Sequence, residues 1–278
     1  MEIEDQAEAF AALGHPLRLA VFRLLARRAP HGVAARAVAE ALGVLPQSLT
    51  RHLDLLVRAG LADRVRQGRS LLYSLGPDRA GALLDYFHSD CCRGRADIGA
   101  TLLQGLAARM VREESAITGK RKFRVLFIGT RNAVRSIFAE AILRAATECP
   151  IEAWSAGTDP ADDLPASVVA VLQGAGYVSD GLGPKSVSAF SGPDAPRFDM
   201  VITLCDQAAN RETPVWPGQP IGAHWAVPDP VQEAALADTL AAVRGRVAAL
   251  KALPFKSFDR VALQRRLDAI GAGDFIGR

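Results

Sequence analysis

One segment near the middle of the chain limits the fold more than any other. The apolar run 125–128 (VLFI) is typical of a buried strand, and a turn and an amphipathic helix near 133–147 follow it at once. A second apolar run, 200–204, comes after a further helical segment near 165–176, and the tail 232–270 is helical with one break. Strands that alternate with helices predict an α/β domain with a parallel sheet flanked by helices.

The earlier part of the chain follows a different pattern. A short amphipathic helix at 35–42 is followed by a turn and by a second helix at 47–59. Helix–turn–helix proteins place the first residues of such a second helix in the major groove of DNA. The segment 61–75 alternates around Gln67-Gly68, which predicts a tight turn and a β-hairpin. The pattern therefore favours a mainly helical DNA-binding domain with a hairpin wing.

Polar and basic side chains on these two elements are the candidate DNA contacts, because such groups bond base edges and phosphates. They are Gln47, Ser48, Thr50, Arg51, Arg64, Arg66 and Arg69. Between His15 and Leu75 ten arginines stand against three acidic residues, a net charge of +7, although the whole chain carries only +3. The alternative is a helical scaffold with a solvated basic face.

Composition bounds the class of protein. A chain of 278 residues is long enough for two domains, and its four cysteines are too few for a disulfide framework. The first residues are acidic and no apolar run reaches about 18 residues, so neither a signal peptide nor a membrane span is expected. We therefore expect a cytoplasmic protein without a membrane partner, in which the adjacent Cys91 and Cys92 are free thiols.

The first 95 residues resemble the ArsR family of winged-helix repressors. The resemblance rests on three spaced segments, 12–19 (ALGHPLRL), 47–53 (QSLTRHL) and 56–61 (LVRAGL). It implies a homodimer that binds double-stranded operator DNA and leaves it when a metal or metalloid binds. By the family pattern His52 faces inward or toward the backbone, so it is not a candidate for reading bases.

The Cys91-Cys92 pair is a candidate effector site. Soft thiolates select soft or borderline metals and metalloids, As(III) among them, and the positive charges of Arg93 and Arg95 favour the thiolate forms. The pair also resembles the site of the arsenite-responding branch of the family, which has a third cysteine several residues on. Here that position is Gly99 or close to it, which favours a two-thiolate ligand such as a monoalkylated arsenical, or a third thiol from elsewhere. Two buried structural residues are the alternative.

The segment that follows the apolar run 125–128 is a candidate oxyanion cradle. A loop that opens a helix offers converging backbone N–H groups, and an arginine can clamp two oxygens of a phosphate or arsenate. The candidate residues are Gly129, Thr130, Arg131, Asn132, Ala133, Val134, Arg135, Ser136 and Asp229.

Residues 122–275 resemble the low-molecular-weight tyrosine phosphatases and the arsenate reductases that share their fold. The loop pattern Cys-x5-Arg-Ser is matched except at the nucleophile, where this chain has Gly129. Asp229-Pro230 matches the general acid, and further matches are the segments 154–158 (WSAGT), 201–206 (VITLCD), 214–218 (PVWPG) and 224–225 (HW). Details point to the reductase branch, whose two further cysteines correspond to Cys205 and to Thr213. With the nucleophile missing, we expect a domain without catalytic residues and without turnover.

These observations predict three regions: a winged-helix DNA-binding domain at 1–95, a helical linker at 96–121, and a phosphatase-like domain at 122–278. The leading hypothesis is an arsenic-responsive repressor with no obligatory cofactor, released from DNA when arsenite or methylarsenite binds the thiol pair. One alternative is a regulator that senses phosphate or arsenate in the loop 129–136. Another is a residual reductase or phosphatase. The remaining hypothesis for the C-terminal half is a vestigial domain kept for packing or dimerisation.

Overall fold

The structure, a computed structural model, describes residues 3–91, 93, 111, 114–115, 119, 121–192, 194–230 and 232–273. The chain divides into two compact units, Met1–Leu106 and Ala107–Arg278. This boundary falls inside the predicted linker. Most of this helical linker lies outside the described residues, so the domain limits remain predictions.

The first unit is mainly helical with a small antiparallel sheet, as the sequence predicts. Its elements are α1 (Ile3–Leu13), α2 (Pro16–Arg28), β1 (Val33–Ala34), α3 (Ala35–Leu42), α4 (Pro46–Arg58), β2 (Ala62–Gln67), β3 (Ser70–Leu75), α5 (Pro77–Asp85) and a π-helical turn (Tyr86–Cys91). The strand order is β1-β3-β2. Helix α4 is the predicted second helix of the helix–turn–helix, displaced by one residue at each end because Pro46 occupies its first position.

Local chemistry explains where the helices of this unit begin and end. His15 caps α2, because its Nδ1 accepts a hydrogen bond of 3.1 Å from the backbone N–H of Leu17. Helix α3 ends at Gly43, whose φ of 64° is the left-handed conformation that glycine adopts without penalty. The core between the helices contains fully buried leucines at 24, 25, 49, 53, 56 and 61.

The hairpin differs from the prediction by one residue. Gln67 pairs with Ser70, so the turn consists of Gly68 and Arg69 rather than Gln67 and Gly68. Gly68 has a φ of 60°, which the first central position of a type I′ or II′ turn requires. The positive φ thus places the glycine inside the turn and leaves Gln67 in the strand.

The second unit is the α/β domain. Its elements are β4 (Phe123–Gly129), α6 (Arg135–Arg144), β5 (Ile151–Gly157), α7 (Ala166–Gly174), a 3-10 turn (Val187–Phe190), β6 (Met200–Thr203), α8 (Asp206–Asn210), β7 (Ile221–His224), a 3-10 turn (Glu233–Ala235), α9 (Leu236–Lys251), a 3-10 turn (Phe255–Ser257) and α10 (Arg260–Ala272). The four strands are all parallel, in the order β5-β4-β6-β7.

Strand β4 lies inside the sheet and contributes to both of its faces. Phe123, Val125 and Phe127 pack in one core with buried residues of α6, α7, α9 and α10. Leu126 and Ile128 pack in the other, with buried residues of the Val187–Phe190 turn and of α8. Because both faces are covered, the strand is a continuous apolar run rather than an alternating one.

Two features of this unit differ from the sequence-based expectation. The helix predicted from about residue 133 begins at Arg135, since the residues before it form a loop in which Asn132 has a φ of 46°. Strands β5 and β7 were not predicted as elements, because polar residues interrupt both. The break expected in the helical tail occurs at the turn after Pro254.

Among the described residues, no single helix is long and apolar enough to cross a membrane. The pair α1 and α2, bent by 95°, satisfies the criteria only when both helices are taken together, and only by length and composition.

Candidate functional site

The first candidate site is the outer surface of α4. Leu49, Leu53 and Leu56 anchor the inner surface of this helix in the core of the first unit. The predicted DNA contacts Gln47, Ser48, Thr50 and Arg51 are all exposed. Because Ser48 and Thr50 bond the backbone carbonyls of Leu45 and Pro46, their hydroxyl groups are held close to the start of the helix.

The wing supplies the second part of this surface. Arg64, Arg66 and Arg69 are all exposed. Arg64 Nη1 lies 3.0 Å from Asp54 Oδ1, an ion pair that joins the wing to α4. The structure therefore brings the wing and the helix into contact at this pair, and Asp54 partly neutralises one of the predicted contacts.

His52 lies on the inner side of α4, as the family pattern implies. Its ring centroid is 4.5 Å from that of His15, at the start of α2. Burial lowers the pKa of His52, and its electrostatic interactions with His15, Arg18 and Arg51 lower it further. The contact between the two rings joins α4 to α2, in surroundings that disfavour the protonated form of His52.

The thiol site is only partly within the described residues. Cys91 is exposed and ends the π-helical turn after α5, whereas Cys92 lies outside the described residues. No cluster of three or more His, Cys, Asp or Glu side chains occurs in the part of the chain that the structure describes. Cys149 and Cys205 are both buried in the second unit. The two-thiolate site remains a prediction.

The second candidate site is a pocket of about 350 Å³ at the carboxyl end of β4. The loop 129–136 forms its wall, and Asp229, Ala161, Pro165 and Gln207 complete it. All nine predicted oxyanion residues line this one pocket. The loop also opens α6, whose first backbone N–H groups have no partner within the helix and favour an anion.

Asn132 fixes the loop through the hydrogen bonds of its side chain. Its Oδ1 accepts a hydrogen bond of 2.7 Å from the backbone N–H of Lys185. Its Nδ2 therefore faces two hydroxyl groups, Ser136 Oγ at 2.9 Å and Ser155 Oγ at 2.8 Å. Asn132 has the left-handed φ that asparagine tolerates better than most residues. Its side chain thus fixes the curvature of the loop.

A buried carboxylate completes this network of hydrogen bonds, which is called the frame below and consists of Asn132, Glu140, Ser155 and Lys185. Glu140 is fully buried on α6 and accepts a hydrogen bond of 2.5 Å from Ser155 Oγ. Its charge is paired with Arg144 and with Lys185 Nζ, the latter at 3.4 Å. Sequence analysis did not single out Glu140 or Lys185. Glu140 lies one helical turn after Ser136, on the face of α6 that packs in the core. An acidic residue on that apolar face was the sequence signal that could have identified it.

The neighbouring strand approaches the loop closely. Gly157 pairs with Gly129 in the parallel register of β5 and β4. A Cβ atom on Gly157 would lie 2.7 Å from the carbonyl oxygen of Thr130. The glycine of the matched segment 154–158 is therefore required by packing against the loop.

Arg135 points across the pocket to a second loop. Its Nη2 lies 3.1 Å from Asp229 Oδ1, and its Nη1 donates to the carbonyl oxygen of Val227 at 3.1 Å. The two predicted site residues are 94 positions apart by their numbers and are brought together by the fold. Arg131, by contrast, is exposed and paired with Asp159 at 3.2 Å.

Gly129 brings no side chain to the floor of the pocket. A Cβ atom there would lie 3.1 Å from Ser136 Oγ and 3.8 Å from the backbone nitrogen of Asn132. Thr130, one residue along, directs its hydroxyl to Cys205 Sγ at 3.2 Å. The neighbouring hydroxyl is thus engaged elsewhere and does not take the position of a nucleophile.

Cys205 borders a second pocket of about 410 Å³, which also includes Arg135 and Asp229. Asp206, which also lines this pocket, lies 3.3 Å from Nε2 of the buried His224, whose Nδ1 is 2.9 Å from Thr203 Oγ1. Sequence analysis noted Cys205 but not the contact of its sulfur with the loop.

Comparison with known proteins agrees with this division of the chain. Residues 13–65 match the model of a helix-turn-helix domain, and residues 124–260 match that of the low molecular weight phosphotyrosine protein phosphatases. No curated protein matches the chain.

Solved structures resemble one unit or the other. An arsenate reductase from Archaeoglobus fulgidus is 26% identical, with a TM-score of 0.38, over 46% of this chain and 99% of that one. A thioredoxin-dependent arsenate reductase from Corynebacterium glutamicum is 24% identical, with a TM-score of 0.37, over 54% and 72%. An ArsR-like transcriptional regulator from Rhodococcus sp. RHA1 is 27% identical, with a TM-score of 0.27, over 38% and 89%.

The family matches, the wing beside α4 and the loop at the end of β4 together define two domains. The chain joins a helix–turn–helix domain to a domain similar to the low molecular weight phosphotyrosine protein phosphatases, an architecture that supports a transcriptional regulator with a phosphatase-like domain.

Proposed function

We propose that the chain is an arsenic-responsive repressor that binds operator DNA as a homodimer and leaves it when a trivalent arsenical binds Cys91 and Cys92. The observation that carries the DNA-binding part is the exposed surface of α4 and the wing, where Gln47 and Arg51 are exposed on the helix and the Arg64–Asp54 ion pair joins the helix to the wing. Phosphate contacts would position this surface, and the first turn of α4 would reach the bases. Such a protein acts in the cytoplasm.

An apolar surface on the first unit supports a dimer. Phe10 on α1 and Phe87 in the π-helical turn are both exposed, and their rings meet edge to face with centroids 6.4 Å apart. Ile3, two turns before Phe10, and Leu84, one turn before Phe87, are also exposed. A cluster of large exposed apolar side chains favours a protein partner, and a second copy can bury the same surface on both subunits.

The position of Cys91 supports its role as an effector ligand. This exposed thiol lies four residues after Phe87, in the same π-helical turn. An arsenical held there would act next to the proposed dimer surface, and so could change how the two recognition helices are spaced. It releases DNA only if it binds the DNA-free conformation more tightly than the DNA-bound one.

A second candidate effector is a tetrahedral oxyanion, phosphate or arsenate, bound in the loop 129–136 without turnover. The observation that favours it is the pocket itself, which retains Arg135, Asn132 and the opening of α6 around a floor without a side chain. Glycine has no atom that can attack phosphorus or form a bond to arsenic, so the pocket would bind and not transform its ligand.

One titration separates these effectors. Full-length protein bound to labelled operator DNA is titrated with arsenite, methylarsenite, arsenate and phosphate, and anisotropy reports release. We expect the two trivalent arsenicals to release DNA from the wild type and not from the Cys91→Ser/Cys92→Ser double variant, which should still bind DNA. Arg135→Ala is the matched control for the oxyanion pocket.

Release by arsenate or phosphate that depends on Arg135 would instead support the oxyanion sensor. Release of the double variant at the same arsenical concentration would show the thiol pair to be structural.

A further inference from the structure

The hydroxyl group of Ser136 has an unusual position in the pocket. Ser136 is 1% exposed, lines the pocket and is the second residue of α6. Its Oγ lies where a side chain at residue 129 would meet it, since a Cβ there would be 3.1 Å away. The hydroxyl therefore lies next to the position that a side chain at residue 129 would take.

The direction of the hydrogen bonds around Asn132 follows from its partners. A backbone N–H can only donate, so the atom of Asn132 that faces Lys185 N must be its Oδ1. The amide nitrogen then donates to both hydroxyl oxygens, Ser155 Oγ and Ser136 Oγ. This assignment leaves no freedom to flip the amide.

The two serines differ in where their own protons go. Ser155, which accepts from Asn132, donates to the carboxylate of Glu140, a group that can only accept. Ser136 accepts from Asn132 in the same way, but no acceptor for its proton is present among the described residues. Its O–H is thus a buried donor without an acceptor, and leaving such a donor unsatisfied is unfavourable.

We propose that Ser136 donates its hydroxyl proton to an oxyanion oxygen that enters the space beside Gly129, and that this bond sets the affinity of the pocket for phosphate or arsenate. The inference rests on the proposed oxyanion-binding role of the loop. It adds a contact that a side chain at residue 129 would obstruct. Together with Arg135 at the mouth, Ser136 at the floor gives a small tetrahedral anion donors from two sides.

The test is a double-mutant cycle on the full-length protein with inorganic phosphate and arsenate as ligands. Calorimetry measures affinity for the wild type, Ser136→Ala, Gly129→Ala and the double variant. We expect each single substitution to weaken binding roughly tenfold, the loss typical of a hydrogen bond to a charged group. Ser136→Ala removes the donor, and Gly129→Ala places a Cβ atom 3.1 Å from Ser136 Oγ, where it obstructs the approach of an oxyanion oxygen to the same hydroxyl.

Both substitutions remove the same bond, so the double variant should bind no more weakly than the weaker single variant. Thermal unfolding without ligand identifies a variant that fails to fold, in which case the other single variant carries the test. Full affinity in a folded Ser136→Ala variant would overturn the role of Ser136 and leave the oxyanion sensor intact. Additive losses would also overturn it. Absence of binding by the wild type would overturn both.

Discussion

Arg135 and Asp229 form an ion pair of unequal burial. Nη2 of Arg135 lies 3.1 Å from Oδ1 of Asp229, but the arginine side chain is 12% exposed and the aspartate 74%. The buried partner is fixed by Val227 and by the start of α6, whereas the carboxylate reaches it from solvent. The carboxylate of Asp229 thus pairs with the guanidinium group that an incoming oxyanion would require.

Asp229→Asn should therefore raise the affinity for phosphate or arsenate several-fold, because it removes a competing negative charge and keeps the shape of the side chain. Arg135→Ala should abolish binding. Calorimetry at low and at 0.5 M salt checks both, and the advantage of Asp229→Asn should shrink at high salt because exposed charges are screened. Weaker binding by Asp229→Asn would show instead that the carboxylate contacts the ligand favourably.

Arg51→Ala and Arg66→Ala should each weaken operator binding without lowering thermal stability, because both side chains are exposed. Loss of one phosphate contact should reduce the slope of log affinity against log salt by about one unit. Asp54→Ala is a matched variant of opposite sign, since it removes a negative charge from the same surface and releases Arg64. Unchanged affinity in both arginine variants would contradict the assignment of α4 and the wing.

The His15–His52 contact predicts a dependence of stability on pH. The pKa of His52 is below its usual value of 6.5 in the folded protein, so the unfolded chain binds the proton more readily. The stability contributed by neutral His52 is complete above pH 6.5 and decreases as the pH falls through its folded pKa. Thermal unfolding of the wild type and of His52→Gln between pH 5 and pH 8 measures this, and we expect a smaller acid-induced loss in the variant. Parallel curves would contradict it.

The second unit should show no phosphatase or arsenate-reductase turnover. Gly129 supplies no nucleophile, and the hydroxyl of Thr130 is directed to Cys205. The assays are hydrolysis of an aryl phosphate and thioredoxin-coupled reduction of arsenate by purified full-length protein. Turnover that disappears in Arg135→Ala would belong to this pocket and would contradict the prediction, whereas turnover that persists would indicate a contaminant.

The features predicted correctly from the sequence are those that residues close together in the chain determine. The apolar run before Gly129 and the arginine six positions after it were enough to place the loop, and the leucines of α4 were enough to orient its polar side. The turn of the wing was misplaced by one residue because only the φ of Gly68 decides which residues the turn contains.

The frame behind the loop could not be found in the same way. Glu140 lies in α6, Ser155 in β5, and Asn132 and Lys185 in two connecting segments, and nothing in their spacing shows that they meet. Likewise, the pairing of Arg135 with Asp229 depends on the carboxyl ends of parallel strands reaching one edge of the sheet. Such contacts are properties of the tertiary fold.

This frame has a consequence for how the loop can change in evolution. The curvature of the loop depends on Asn132, on the carboxylate behind it and on the close approach of Gly157, and none of these contacts involves a side chain at residue 129. Recognition of an anion and chemical attack on it are therefore separable properties of the same backbone. In the proposed oxyanion sensor, glycine at this position removes the attacking atom and leaves these contacts in place.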